Sequence, residues 1–175
     1  NKVAEYWNQV IIINDHQKER FAKNILKSLY NTVAGKKICF LGWAFKKDTN
    51  DTRESASIYI VRNLLINNCK INIYDPWVDV DKIKYDINYS LKQIRFKKSE
   101  IEIILKKIKI FNSIKSCIKN VSSIAICTEW DEFKEFDWKA AYKYVEPECI
   151  ILDGRNIIDT KKIVGTNFRM YSLGR

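Results

Sequence analysis

Three clusters of polar residues follow predicted strands, where they could bind an anion. The first lies in residues 42–55, between a short apolar run and a predicted helix, and carries Lys46, Lys47 and Arg53. A helix N-terminus has free N–H groups and the positive end of the helix dipole, so it favours a negative group. The segment therefore predicts a phosphate or pyrophosphate site, with a solvated basic loop as the alternative.

The same segment contains signals for the start of a helix. Apolar side chains recur at helical spacing from residue 54 to residue 66. We expect Asp51 or Thr52 to cap this helix, with Glu54 or Ser55 completing a pattern that resembles a capping box.

The other two clusters stand after later apolar runs. Residues 128–133 read TEWDEF, which would either line a cleft or begin a helix with Trp130 as a packing anchor, and we favour the second interpretation. Residues 153–155 read Asp-Gly-Arg. After a flexible glycine, Arg155 can fork onto a phosphate or a sugar hydroxyl, although an ion pair with Asp153 explains the pattern equally well.

The fingerprint of dinucleotide-binding loops is absent. G-x-G-x-x-G needs three glycines, whereas the first loop has only Gly42 and the chain has five glycines in all. We therefore expect that this fold does not bind NAD in the standard way. Asp75 ends the second predicted strand, where such folds place a ribose-binding acid. Without the glycines, we interpret it as a turn residue ahead of Pro76.

No nucleophile paired with a base is visible, so no catalytic residue is predicted. His16, the one histidine, falls in a polar stretch of the first helix and is expected to be solvated or in a subunit contact. The five cysteines form no C-x-x-C pair, which indicates buried, reduced thiols and neither disulfides nor a metal site. They are Cys39, Cys69, Cys117, Cys127 and Cys149.

Apolar periodicity predicts the elements that position these residues. Residues 1–31 should form a long helix with apolar ends and a polar middle, stopped by Ala34-Gly35. Short apolar runs then alternate with helical patterns, which predicts an α/β fold: a doubly wound, mostly parallel Rossmann-like sheet preceded by a long helix. Strands are expected at 37–41, 70–74, 107–111, 122–127, 148–152 and 167–172.

These elements divide the chain into two parts. Residues 1–33 would be the helix, with a linking or dimerising role, and residues 34–175 the sheet domain. Residues 79–106 give an irregular signal, with a helix only around 98–106, and are interpreted as a surface insertion.

The formal net charge of +10 raises the question of a polyanionic partner. Lys, Ile and Asn are abundant throughout the chain, and the densest basic stretch, residues 95–107, resembles a solvated helix face. We therefore expect no nucleic-acid partner. No apolar run approaches the roughly 20 residues needed to cross a bilayer, and the N-terminus has no signal-peptide layout, so no membrane association is expected.

Four segments in order resemble the C-terminal region of UDP-glucose 6-dehydrogenases: LGWAFKKDTNDTRESASIYI, IYDP, ICTEWDEFKEFD and DGRNIID. The leading VAEYWNQVIIINDHQKERFAKNI is similar to the end of the central helix of that family. The resemblance covers nearly the whole chain. It departs from the pattern at Trp43, where phenylalanine or a similar residue is usual, and over residues 80–108, which have little family character.

The resemblance implies an activity for a longer protein. Such enzymes oxidise UDP-glucose to UDP-glucuronate in two steps with two NAD molecules, and an N-terminal Rossmann domain holds NAD and supplies most of the catalytic groups. The catalytic cysteine would lie upstream of Asn1, so no cysteine here takes that role and the fragment alone should be inactive. The family further implies a cytoplasmic protein that forms dimers through the central helix, here residues 1–30, and often hexamers.

The resemblance also assigns residues one at a time. Phe45 and Lys46 match the pair that contacts UDP-glucose, and Arg155 matches the substrate-binding arginine. Arg53 matches an arginine that reaches the NAD held by the other domain. Two alternatives stay open: a sibling dehydrogenase acting on UDP-N-acetylmannosamine or GDP-mannose, and a free-standing nucleotide-sugar-binding module.

Overall fold

The computed structural model describes residues 2–173, which form a six-stranded sheet with two layers of helices. The strands are β1 (Lys37–Leu41), β2 (Lys70–Tyr74), β3 (Ile108–Ile110), β4 (Ser123–Ile126), β5 (Ile150–Asp153) and β6 (Arg169–Ser172). Their order is β3-β2-β1-β4-β5-β6, and each neighbouring pair is parallel. The first strand, β1, lies in the middle of the sheet, and later strands are added outwards on both sides. This order confirms the predicted doubly wound α/β fold.

The inner strands are evident from the sequence because they are buried on both faces. All residues of β4 and β5 are buried, as are the last four of β1 and of β2. A parallel sheet covered on both faces needs continuous apolar runs, not alternation. The predicted bounds of β1 and β2 are confirmed, and those of the other strands shift by at most two residues.

Seven α-helices surround the sheet within residues 2–173. They are α1 (Lys2–Ser28), α2 (Ala56–Ile66), α3 (Val80–Gln93), α4 (Lys98–Leu105), α5 (Ile114–Cys117), α6 (Asp131–Glu135) and α7 (Trp138–Ala141), with 3₁₀ turns at Tyr142–Tyr144 and Thr160–Ile163. Helices α1 to α4 contact one another in sequence order and form one layer. Right-handed crossovers place α6 and α7 on the opposite face.

Helix α1 joins the core through its C-terminal half only. Phe21, Ala22 and Ile25 are buried, whereas the large apolar side chains near its N-terminus are exposed. The expected stop at Ala34-Gly35 is wrong, since the helix ends at Ser28. Tyr30 and Asn31 then take left-handed backbone angles, φ 59° and 58°, and the Asn31 N–H closes the end by donating to the Leu26 carbonyl at 2.8 Å.

The interpretation of residues 79–106 as a surface insertion is also wrong. Helix α3 occupies much of this stretch, contacts α2 and contributes to the core. Its buried apolar residues are spaced by four, as a helix face requires: Ile83, Ile87 and Leu91. The helix predicted around 98–106 is confirmed as α4.

The predicted division at residue 33 stays a prediction, and its outer limits, Asn1 and residues 174–175, lie outside the described residues. From residue 2 to residue 173, no helix combines the length and apolar character needed to cross a membrane. Across the same residues, no group of three or more His, Cys, Asp or Glu side chains is placed to hold a metal ion.

Candidate functional site

A cleft of about 710 Å³ lies between α1 and the carboxyl ends of β1, β4 and β5. We call it the strand-end cleft. Ligands of open parallel sheets bind at this edge, and the volume suits a small molecule. Its lining includes Phe45, Cys127, Gly154 and Arg155 from the strand ends and Lys18 and Phe21 from α1.

Backbone carbonyls of two other loops hold Arg155 in the cleft. Its Nε donates to the Cys127 carbonyl at 2.7 Å, and its Nη2 donates to the Phe45 carbonyl at 3.0 Å. Glu129 Oε2 lies 3.3 Å from the same Nε. Because the single Nε hydrogen already points at Cys127, the contact with Glu129 is an ion pair without a hydrogen bond. Arg155 thus joins the ends of β1, β4 and β5.

Asp153 does not form the side-chain ion pair with Arg155 that the Asp-Gly-Arg pattern would allow. Its carboxylate accepts the backbone N–H groups of Arg155 at 2.9 Å and Ile158 at 2.8 Å. The ion-pair partner of the Arg155 guanidinium is Glu129, so an Asp153–Arg155 side-chain pair does not explain the Asp-Gly-Arg pattern.

Glycine is needed at the start of the first loop. Gly42 has φ +96°, and a Cβ there would lie 2.4 Å from Cβ and Oγ1 of Thr128. Thr128 is fixed in turn, because its hydroxyl donates to the Ala44 carbonyl at 2.7 Å. The loops after β1 and β4 therefore pack directly on each other and form one wall of the cleft.

Three consecutive residues of the first loop have different surroundings. Phe45 lines the cleft with its side chain half exposed, and its N–H donates to the Asp51 carbonyl at 2.8 Å. Lys46 is exposed and stands outside the lining. Lys47 turns toward α6, where its Nζ lies 3.1 Å from Asp131 and a hydrogen bond to that carboxylate raises the Lys47 pKa.

Arg53 lines another groove. This groove, about 540 Å³ in volume, lies between α2 and α3, and we call it the α2–α3 groove. The guanidinium pairs with Asp51 at 2.8 Å, and its hydrogen bonds lower the Asp51 pKa to about 2. The charge pattern predicted one basic site with Lys46, Lys47 and Arg53. In the structure, Arg53 lines the α2–α3 groove, Lys47 pairs with Asp131, and Lys46 is exposed outside the lining of the strand-end cleft.

The predicted cap of α2 is wrong because Asp51 binds Arg53 and not the start of the helix. Asp51 uses its carboxylate on the N–H and side chain of Arg53, at 2.9 and 3.0 Å. The N-cap residue is Ser55, whose side chain makes no capping hydrogen bond. The first turn of α2 nevertheless reaches the strand-end cleft, since Ala56 is among its lining residues.

The described cysteines are all free and buried, and one of them lines the cleft. Burial raises the pKa of the Cys127 thiol to about 11, so it is a weak nucleophile near neutral pH. His16 is exposed on α1, as expected. Trp130 is confirmed as a packing anchor, with only 4% of its surface exposed and its ring 5.2 Å from that of Trp77.

Sequence reasoning missed the contribution of α1 to the cleft and the pairing of Glu129 with Arg155. Lys18 and Phe21 reach the cleft because the C-terminal half of α1 packs beside β4 and β5, which no local pattern encodes. The boundary between the polar middle of α1 and its buried end was the available signal, since both residues lie there.

The first loop does not fit a dinucleotide. Gly42 is the single glycine of this loop, and Thr128 occupies the space where a Cβ of residue 42 would lie. Asp75 accepts the N–H groups of Trp77 at 2.9 Å and Val78 at 3.0 Å, which confirms it as a turn residue. The acid that would bind a ribose is therefore occupied within the protein.

A comparison of the sequence with models of protein families matches residues 39–160 to the UDP binding domain of the UDP-glucose/GDP-mannose dehydrogenase family. UDP-glucose 6-dehydrogenase 3 of Oryza sativa is 39% identical over 177 residues, which covers 99% of this chain and 37% of the relative. UDP-glucose 6-dehydrogenase 1 of Arabidopsis thaliana is 36% identical over 178 residues, with the same coverage. The chain thus spans little more than a third of the length of these relatives.

Solved structures give the same fold. An NDP-N-acetyl-D-galactosaminuronic acid dehydrogenase from Methanosarcina mazei superposes with a TM-score of 0.67 at 20% identity, covering 91% of this chain and 29% of that one. A UDP-glucose dehydrogenase from Pyrobaculum islandicum gives 0.59 at 19%, covering 90% and 29%. The family model spans most of the sheet domain, and this chain belongs to the UDP-glucose/GDP-mannose dehydrogenase family.

Proposed function

We propose that this chain is the C-terminal part of a UDP-glucose 6-dehydrogenase and binds the UDP half of the substrate in the strand-end cleft, through Phe45, Lys46 and Arg155. The observation that carries the proposal is the fixed guanidinium of Arg155 at the sheet edge where ligands of this fold bind. A side chain already ordered by protein contacts loses little entropy when a ligand arrives.

Arg155 retains donors for an anion. Its guanidinium has five N–H groups, of which one goes to Cys127 and one to Phe45. The other three have no hydrogen-bond partner among residues 2–173 and can face a diphosphate. The exposed Lys46 adds positive charge, and the ring of Phe45 offers an apolar surface. Lys18, also on the cleft wall, is already paired with Asp15 at 3.1 Å and Glu54 at 3.4 Å.

The dehydrogenase activity belongs to the longer protein that the proposal requires. There, NAD would oxidise UDP-glucose to UDP-glucuronate, and a separate N-terminal domain would hold NAD and the catalytic cysteine. This chain would supply binding energy remote from the reacting carbon and fix that carbon in place. Since its own first loop does not fit a dinucleotide, only Arg53, exposed at the α2–α3 groove, is proposed to reach the cofactor.

We also propose that the N-terminal half of α1 pairs with the same helix of a second copy of the chain. We propose a cytoplasmic location for this assembly. Six large apolar side chains in that half of α1 are at least 49% exposed, and large exposed apolar patches mark interaction sites. They are Val3, Tyr6, Trp7, Ile11, Ile12 and Ile13. Sedimentation velocity should find dimers or larger assemblies, and Trp7→Ser with Ile11→Ser should shift them to monomer. Monomeric wild-type protein at micromolar concentration would contradict this pairing.

Calorimetric titration of the chain with UDP, UDP-glucose and GDP-mannose tests the substrate assignment. UDP and UDP-glucose should bind with similar affinity, because the cleft would hold the diphosphate and uridine. GDP-mannose should bind at least about tenfold more weakly, a difference of about 1.4 kcal/mol. Equal or tighter binding of GDP-mannose would favour a sibling dehydrogenase, and no binding of any of the three would refute the proposed site.

A further inference from the structure

Asp75 is a buried carboxylate at the end of β2, with 7% of its surface exposed. Its Oδ2 accepts the backbone N–H groups of Trp43 at 2.6 Å and Ala44 at 3.0 Å, and the indole N–H of Trp130 at 3.2 Å. Its Oδ1 accepts the two N–H groups of the turn that follows β2. The two oxygens therefore receive five hydrogen bonds from three separate segments.

The position of these partners gives Asp75 a role beyond its own turn. In dinucleotide-binding sheets, the N–H groups of the first loop face a pyrophosphate and the acid after the second strand faces a ribose. Here the two features bind each other: the Trp43 and Ala44 N–H groups, free to receive an anion in such a fold, donate to the Asp75 carboxylate. The anion that the N–H groups of the first loop bind is thus the Asp75 carboxylate of the protein itself.

Ala44 is followed directly by the residues proposed to contact substrate. The loop is fixed from three sides at this point. Asp75 holds the N–H of Ala44, Thr128 donates to its carbonyl at 2.7 Å, and Arg155 donates to the carbonyl of Phe45 at 3.0 Å. Without the carboxylate, two backbone N–H groups and one indole N–H would lose their acceptor in a buried place, and the loop would shift to satisfy them.

We infer that Asp75 is a positioning residue that acts as an internal anion for the first loop, and so sets Phe45 and Arg155 in the geometry that receives UDP. The inference deepens the proposed function and rests on it for the identity of the ligand. Asp75 itself does not touch the ligand, since its oxygens are filled by protein donors and it lies outside the cleft lining.

The test compares Asp75→Asn with Asp86→Asn. Asp86 is equally buried, at 7% exposure, and also contacts Trp43, but through the indole Nε1 at 3.1 Å and not through the backbone. An Asn amide at 86 keeps an oxygen for the Trp43 indole and loses only the ion pair with Lys82, whose side chain is 43% exposed and can turn to water. An amide at 75 must present N–H₂ to backbone N–H donors. UDP affinity by calorimetry should fall about tenfold for Asp75→Asn and less than about twofold for Asp86→Asn. Equal losses, or none in a folded Asp75→Asn protein, would overturn the inference.

Trp130→Phe serves if Asp75→Asn does not fold, because it removes one donor to Asp75 and keeps most of the packing. It should weaken UDP binding by about threefold. Hydrogen exchange gives a readout that needs no ligand: the Trp43 and Ala44 amides should exchange faster in Asp75→Asn, which alters their acceptor, while β4 and β5 amides keep the wild-type rate. If wild-type protein binds no UDP, the proposed function fails, and the exchange rates still decide the inference. Unchanged rates at Trp43 and Ala44 would overturn it.

Discussion

Arg155 and Arg53 stand near the same edge of the sheet, yet Arg155 is fixed by distant loops and Arg53 is exposed and held only by a neighbour in sequence. The Arg155 side chain is 34% exposed and donates to carbonyls of two loops that are distant in sequence. The Arg53 side chain is 87% exposed, and its ionic partner is Asp51, two residues earlier. The two arginines also line different hollows, the strand-end cleft and the α2–α3 groove.

The difference is consistent with the two proposed roles, a substrate site within this chain and a contact with another domain. A fixed arginine with spare donors can bind an anion without reorganisation. An exposed arginine in a local ion pair gains little from that pair and can turn toward a new partner at small cost. The difference therefore supports the proposals that Arg155 binds substrate and that Arg53 contacts NAD held by another domain.

Arg155→Ala should cause the largest loss. Removing the fixed guanidinium should weaken UDP binding by roughly 2–3 kcal/mol, or about a hundredfold, as measured by calorimetry. Arg95→Ala, which removes an exposed arginine beyond α3, is the control for net charge and should leave the affinity within about twofold. A folded Arg155→Ala protein that binds UDP as the wild type does would remove the distinction between the two arginines.

Gly42→Ala tests the support of the fixed arginine, because Gly42 begins the loop that offers Arg155 the Phe45 carbonyl. The substitution adds left-handed strain and a clash with Thr128, and should lower the free energy of unfolding by about 2–5 kcal/mol. Gly35→Ala is the matched control: its φ is +74° and a Cβ there meets nothing within 4 Å. It should cost only the strain, about 1–2 kcal/mol in urea unfolding. Equal losses of unfolding free energy in the two variants would mean that Thr128 moves aside and relieves the clash.

Arg53→Ala tests the role of the exposed arginine. UDP affinity of the chain should stay within about twofold, because Arg53 lies outside the strand-end cleft. In the longer dehydrogenase, the KM for NAD should rise about fivefold, the effect of roughly 1 kcal/mol, with the KM for UDP-glucose unchanged. Steady-state kinetics with each substrate varied separately measures both. A rise in the KM for UDP-glucose alone would place Arg53 with Arg155.

The same contrast between local and distant contacts determines which parts of the fold are predictable from the sequence. Strands buried on both faces are continuous apolar runs, so the sheet and the loops at its carboxyl edge are predictable. Helix α3 is not, because its pattern is inverted in two places: Asp86 is buried on the core side, and Tyr85 and Tyr89 stack on the exposed side. The acid is acceptable there because Trp43 Nε1 and Lys82 bind it, and both contacts depend on the fold.

The site follows the same rule. Phe45 and Arg155 are marked by motifs at strand ends, and parallel topology alone brings those ends together. The predicted grouping of Arg53 with Lys46 and Lys47 in one basic site is wrong, because charge and proximity in sequence do not determine the direction of a side chain. A short-range pair with Asp51 turns the Arg53 side chain to the other side of the loop. Glu129 and Lys18 join the site through packing of elements that are distant in the chain, which only the fold decides.

The smallest effect expected is on the titration of Asp51, which reports directly on its ion pair with Arg53. Hydrogen bonds from Arg53 hold the Asp51 pKa at about 2 in the folded protein, below its ordinary value of about 3.9. The pair therefore stabilises the fold above about pH 3.9, and this contribution is lost as the pH falls through about 2. NMR titration of the Asp51 carboxyl should show the low pKa, and Arg53→Ala should return it toward the ordinary value. A pKa already near 3.9 in the wild type would mean that Arg53 spends its time away from Asp51, freer than the ion pair suggests.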